Sequence, residues 1–196
     1  METKIASGAA IDKSVSACGD ALIGALRPDG SAMVVGLPKS QIDVNVDETY
    51  GCRTSGDMRV TGNLKANCET AGGAIICTDL DVDFDVDFND CVTTTSPEED
   101  QPSYEVTINE VANVTFEGEI SGNEEDGITS SSFSGNVNGT VQVAGSDFNS
   151  EVELNNVYFS GSGADPQTQC SGTTDVTIDE ETEECTVSSN CRSCQQ

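Results

Sequence analysis

The 196-residue chain contains no histidine and no tryptophan, and it has only six phenylalanines and three tyrosines. The lack of histidine excludes Ser-His and Cys-His nucleophilic pairs and removes the commonest general base. Acidic residues are so numerous that no carboxylate pair stands out as a glycosidase dyad. We therefore expect a protein that is not an enzyme.

Basic residues are also scarce, since 8 lysines and arginines stand against 35 aspartates and glutamates, for a formal net charge of -27. This charge repels phosphate backbones and anionic membrane surfaces, so no nucleic-acid partner is expected. Divalent cations, basic proteins and neutral glycans remain as partners. The charge also keeps a surface hydrated and soluble in salty surroundings.

Long apolar runs are absent, because no run approaches the roughly 20 residues of a membrane-spanning helix. The N-terminal segment METKIASGAAIDKS has neither the basic start nor the apolar core of a signal peptide. We expect no direct membrane insertion, and we expect any export leader to be missing from this chain.

Cysteine, in contrast, is frequent: nine cysteines and no histidine favour a disulfide framework over metal or redox chemistry. The prediction is an extracellular, cell-surface or periplasmic location. Zinc is the alternative at the C-terminal cluster of Cys185, Cys191 and Cys194, to which Cys170 would add a fourth ligand. The odd count leaves one thiol, which is either buried and inert or a link between subunits.

One helical stripe precedes a long region of strand-like patterns. The stripe predicts an amphipathic helix over residues 7–26, and the short alternating runs after it predict strands. The predicted fold class is mainly β: an antiparallel curved sheet, sandwich or partial barrel with the N-terminal helix packed on it. We expect a single domain over residues 1–196, with an antiparallel β-rich region at 31–187 and a cysteine-containing tail at 188–196. The stripe consists of Ile11, Val15, Cys18, Leu22 and Leu26.

A first hairpin is predicted around the segment ETAGGA. Keeping the apolar residues together fixes its register and also brings opposite charges across from each other. The predicted pairs are Met58 with Val86, Val60 with Phe84, Leu64 with Leu80, Arg59 with Asp85, and Lys65 with Asp79.

That register leaves Cys68 and Cys77 on opposite faces of the hairpin. A bridge between them is expected only if a bulge lies near the turn. A bridge from Cys18 on the helix to the sheet is the alternative.

A second hairpin is predicted with a two-residue type II′ turn at positions 145–146, which sets Val143 across from Phe148. After Leu154 the apolar residues move from even to odd positions, to Val157 and Phe159, so a bulge is expected at positions 155–156. The segment NEEDGITSSS at 123–132 is predicted to be a polar loop.

The segment CTDLDVDFDVDFNDC alternates strictly between acidic and apolar residues, which indicates a strand with one wet face. Its aspartates, taken as a solvated face, discourage edge-to-edge sheet pairing. Low-affinity Ca²⁺ binding is the alternative, although same-face neighbours lie roughly 6.8 Å apart and must lean together to share an ion. An EF-hand loop is excluded, because Phe84 stands at the position that requires glycine. No other cofactor is predicted. The candidate metal ligands are Asp79, Asp81, Asp83, Asp85 and Asp87.

These patterns predict a non-enzymatic extracellular or cell-surface structural or adhesive protein that assembles into a homo-oligomer or fibre, aided by divalent cations. The alternative is a periplasmic or extracellular carrier of a lipid or other hydrophobic ligand, because a curved sheet capped by a helix can enclose an apolar cavity. A metal-binding module is a third interpretation.

Overall fold

The computed structural model describes residues 1–26, 39–71, 74–95, 103–123, 127–163 and 168–195. The predicted fold class is confirmed as mainly β, with one N-terminal helix packed on one open antiparallel sheet. The helix begins at Glu2 and not at residue 7. Residues 27–38, which include the predicted start of the β-rich region, lie outside the described residues. The elements are α1 (Glu2–Leu26), β1 (Lys39–Gly51), β2 (Ser55–Ala71), β3 (Ala74–Thr95), β4 (Tyr104–Asn123), β5 (Gly127–Ala144), β6 (Asn149–Gly163), β7 (Gln169–Ile178), β8 (Glu181–Val187) and β9 (Cys194–Gln195).

The strands follow one another in the sheet in chain order, and each is antiparallel to the one before it. The sheet therefore has β1 at one edge and β9 at the other. The predicted cysteine-containing tail contributes β9, which pairs only with Thr186 and Val187 of β8. Part of the predicted loop at 123–132 belongs to β5, which begins at Gly127.

The sheet coils around α1, which contacts all nine strands. Every residue from Ile5 to Ile11 is buried, so burial in this half of the helix extends well beyond the predicted stripe. Small residues make this close wrapping feasible: a Cβ added at Gly8 would overlap the backbone carbonyl of Arg192. The predicted stripe is thus one part of a helix that the sheet encloses on several sides.

Two buried hydroxyls of α1 have hydrogen-bond partners in the sheet. The hydroxyls of Ser7 and Thr174 form a buried hydrogen bond of 2.9 Å. Thr3 Oγ1 donates to Glu183 Oε2 at 3.0 Å. These bonds offset the cost of removing the hydroxyls from water. None of the described helices combines the length and the apolar composition needed to cross a membrane.

The predicted register of β2 against β3 is wrong by two residues. Met58 lies opposite Phe88, Arg59 opposite Asp87 and Lys65 opposite Asp81. A shift of two keeps each side chain on its predicted face, because side chains alternate with a period of two. One residue of this shift comes from the turn, which closes with Ala71 opposite Ala74, and the other comes from an extra residue in β3 between Asp81 and Thr78, where Asp79 has a φ of 52°.

The turn of the second hairpin also differs from its prediction. Val143 pairs with Ser150, and the Gly145 N–H donates to the Phe148 carbonyl at 2.9 Å, so the turn is centred one position later than expected. The predicted bulge at positions 155–156 is confirmed by the register shift in β6 and by Asn156, whose φ is 53°.

Four disulfides join parts of the sheet, which confirms the predicted disulfide framework and indicates an oxidising environment. The β3 bulge brings Cys68 and Cys77 into register, so they form the bridge that a regular hairpin would forbid. The four C-terminal cysteines pair with each other, which leaves no thiolates for the zinc alternative. The alternative of a bridge from Cys18 is wrong, since Cys18 is buried and unpaired. The bridges are Cys52–Cys91, Cys68–Cys77, Cys170–Cys191 and Cys185–Cys194.

Candidate functional site on the aspartate face

The outer surface of β3 and its neighbours carries the predicted aspartate row, and we call this surface the aspartate face. All five predicted aspartates are exposed. They point outward because the residues between them, such as Val82 and Phe84, are buried in the core. The structure therefore places the row on the solvent-exposed face of a strand. The row consists of Asp79, Asp81, Asp83, Asp85 and Asp87.

Two bulges bound the regular part of the row. Asp79 has a φ of 52° and Asp90 has a φ of 47°, and the pairing of β3 with β4 shifts at both places. Strict alternation therefore extends only between them, and Asp79 stands at the bulge instead of in the straight row. The bulges also reverse which positions face the core, so that Cys77 and Cys91 are buried beside the even-numbered apolar residues.

Asparagine side chains donate hydrogen bonds to three of the five aspartates of the row. Asn113 Nδ2 lies 2.9 Å from Asp83 Oδ1 and 3.0 Å from Asp85 Oδ1, and it donates to both carboxylates. Asn67 Nδ2 donates to Asp79 Oδ2 at 2.9 Å. Sequence reasoning missed both residues, because it considered lysine and arginine as partners. The register of β4 against β3, which sets Asn113 opposite Asp85, is the signal that would have found the first.

Among the described residues, neither Arg59 nor Lys65 forms the ion pair with the row that the sequence predicted. Arg59 donates from Nε and Nη2 to the two oxygens of Asp47 on β1, with both distances 2.8 Å. This hydrogen-bonded pair holds the pKa of Asp47 below its usual value. Among the described residues, Lys65 forms no ion pair with Asp79 or Asp81.

A shallow depression of about 470 Å³ lies between β1, β2 and β3 on this face. At its floor Gly62 has a φ of 148°, and a Cβ there would overlap the Asp83 carbonyl. Within the described ranges, no group of three or more cysteines, aspartates or glutamates is arranged to hold a metal ion. A calcium ion needs six to eight oxygens, so the carboxylates would have to move together to bind one. The depression is lined by Asn45, Val46, Asp47, Thr61, Gly62, Asn63, Asp83 and Asp85.

Comparison of the chain with protein-family models, with curated proteins and with solved structures finds no match.

Proposed function

We propose that this chain is a non-enzymatic structural or adhesive protein of the cell surface or the extracellular space, and that copies of it associate through the edges of the sheet. The observation that carries the proposal is β1, a 13-residue strand at the end of the sheet. An edge strand presents backbone N–H and C=O groups that another chain can pair with.

Among the described residues, the opposite edge of the sheet is also only partly paired. In the described tail, β9 pairs with Thr186 and Val187, which leaves Glu181, Thr182 and Glu184 outside that pairing. Carboxylates occur at both edges, including Asp43 on β1. Like charges in apposition repel, and Ca²⁺ prefers carboxylate oxygens, so divalent cations would let the two edges approach.

The disulfides and the surface charge support a location outside the cytosol. Four bridges persist only where the surroundings are oxidising. The net charge of -27 keeps separate copies soluble and apart when no cation is present. Association that depends on cations therefore suits a protein that is exported first and assembled afterwards.

Light scattering on the oxidised protein, with Ca²⁺ and then with a chelator, tests this proposal. We expect growth into oligomers or fibres with Ca²⁺ and dissolution with the chelator, and a monomer under both conditions would contradict it. A double variant at the edge, Glu181→Gln with Glu184→Gln, should lose the response. The matched triple variant on the aspartate face, Asp81→Asn, Asp83→Asn and Asp85→Asn, should keep it. Loss in the triple variant alone would move the cation site to the aspartate face.

The alternative of a carrier for a hydrophobic ligand requires the concave face of the sheet. That face is where α1 packs, and a ligand would have to displace the helix. We therefore favour assembly over carriage, and we expect no saturable binding of a fluorescent fatty acid. The apolar side chains that would line a carrier cavity lie buried in the same core as the helix: Phe84, Phe88, Phe116, Val137, Val141 and Leu154.

A further inference from the structure

A second depression lies on the outer surface of β4, β5, β6 and β7 and borders the aspartate row, since Glu117 of β4 lies opposite Asp81. Its volume is about 730 Å³, and its lining is dominated by serine, so we call it the serine trough. It is lined by Glu117, Gly118, Ser132, Phe133, Ser134, Tyr158, Ser160, Gly161, Ser162 and Gln169.

The strand register builds the trough from short polar side chains. One row of outward-facing residues crosses four strands: Glu117, Ser134, Ser160 and Gln169 lie side by side in the pairing. They face outward because their chain neighbours, such as Phe159, are buried. The surface is depressed at this row because serine side chains are short.

Tyr158 forms a wall of the trough and is 43% exposed, which is unusual for so large an apolar group in this fold. It occupies the neighbouring row on β6, opposite Asn136. Its ring thus stands beside the serines and remains open to solvent on one side. A phenol ring in this setting offers an apolar face and a hydroxyl at its tip.

Polar side chains in the trough lack the cross-strand bonds found elsewhere on the outer surface. Gln142 donates to Glu151 at 3.0 Å, and Asn155 donates to Asp175 at 3.2 Å. Within the part of the chain that the structure describes, no side-chain hydrogen bond engages the serines, the tyrosine, the glutamate or the glutamine of the trough. Their donors and acceptors are therefore available to a ligand.

The chemistry of the lining selects one class of ligand. Among the described lining residues, four serines and one tyrosine supply hydroxyls, with one amide and one carboxylate, and none is a lysine or an arginine. The lack of cations and the net charge of -27 disfavour anions. The polar floor disfavours lipids, and a single carboxylate is too few for Ca²⁺. We propose that the serine trough binds a neutral saccharide, whose C–H face packs on Tyr158 and whose hydroxyls bond to the serines and to Glu117.

This inference deepens the adhesive part of the proposed function and rests on it, because the trough would supply the contact with a glycan surface. The test is an NMR titration of the full chain with chitotriose, cellotriose, maltotriose and mannotriose, beside the anionic trigalacturonate. We expect at least one neutral trisaccharide to bind at millimolar concentration and to shift amides of β4 to β7. Trigalacturonate should not bind.

Tyr158→Ala should weaken this binding by about tenfold, the worth of one aromatic contact. The matched control is Val111→Ala, which removes another exposed side chain of the outer surface and should leave binding unchanged. The proposal is overturned if no neutral probe binds, if the shifts fall elsewhere, or if Tyr158→Ala binds normally. The light-scattering test of assembly uses no saccharide. A titration without binding would therefore overturn the saccharide proposal and leave the proposed assembly to be decided by light scattering.

Discussion

The contribution of each disulfide to stability can be worked out from the loop it closes. Cys52–Cys91 spans 39 positions and Cys68–Cys77 spans 9, with the second loop nested in the first. Loop-closure entropy predicts losses of about 3.9 and about 2.6 kcal/mol when the respective bridge is removed. Retaining the inner bridge shortens the outer loop by about eight residues and lowers the first value to about 3.7 kcal/mol.

Paired substitution by alanine tests this ranking. For a chain of this size, about 3.7 kcal/mol corresponds to a fall in Tm of roughly 7 to 15 °C, and about 2.6 kcal/mol to roughly 5 to 10 °C. The assay is urea denaturation followed by far-UV circular dichroism, with thermal melts beside it. If Cys68→Ala with Cys77→Ala costs as much as Cys52→Ala with Cys91→Ala, loop-closure entropy does not govern the stabilisation by these bridges. Their effect on packing in the folded state would then have to be considered instead.

Three further predictions concern single positions. Gly8→Ala should destabilise the fold by about 1 to 3 kcal/mol in urea denaturation because its methyl group has no room, whereas Gly19→Ala, with open space around it, should stabilise the helix by up to about 1 kcal/mol. A neutral Gly8→Ala would contradict the close wrapping of α1. Arg59→Ala should raise the pKa of Asp47 toward its usual value in an NMR titration; because that pKa is lowered in the folded state, the pair stabilises the fold above about pH 4 and the contribution disappears as the pH falls through the lowered pKa. An unchanged Asp47 titration would show that the pair does not persist in solution. Burial raises the pKa of the Cys18 thiol, so iodoacetamide at pH 8 should label Cys18 only after unfolding, and rapid labelling of the native protein would show that the helix is accessible.

The sequence was sufficient to predict which face of each strand lies inside, but not how the strands align. Alternation with a period of two assigns Phe84 to the core and Asp85 to the surface, and this assignment survives a slip of two residues. The true register depends on the turn, which closes with Ala71 opposite Ala74, and on one extra residue at Asp79. Nothing in the alternation marks that position, since the acidic residue there continues the pattern on both sides.

The wrapping of α1 was unpredictable for a related reason. Ile11 and Leu22 define a stripe, and a stripe indicates one buried side. Alanine, serine and glycine occupy the other positions around Gly8, and these residues are compatible with either solvent or a closely packed backbone. The serine trough was missed in part because Ser132 lies in the segment that was predicted to be a polar loop, whereas it belongs to β5.

The hydrogen bonds of the aspartate face explain how so acidic a strand remains in the sheet and also what the surface can attract. Asn113 bridges Asp83 and Asp85 with an uncharged amide, so it orders the two carboxylates without cancelling either charge. Had Arg59 and Lys65 paired with two of the five aspartates, as the predicted register implied, the negative charge of this surface would be smaller. Because amides perform this role, the negative field remains, and it favours cations at the sheet edges and uncharged ligands in the serine trough over any anionic partner. The two proposals therefore depend on the same electrostatic property of the fold.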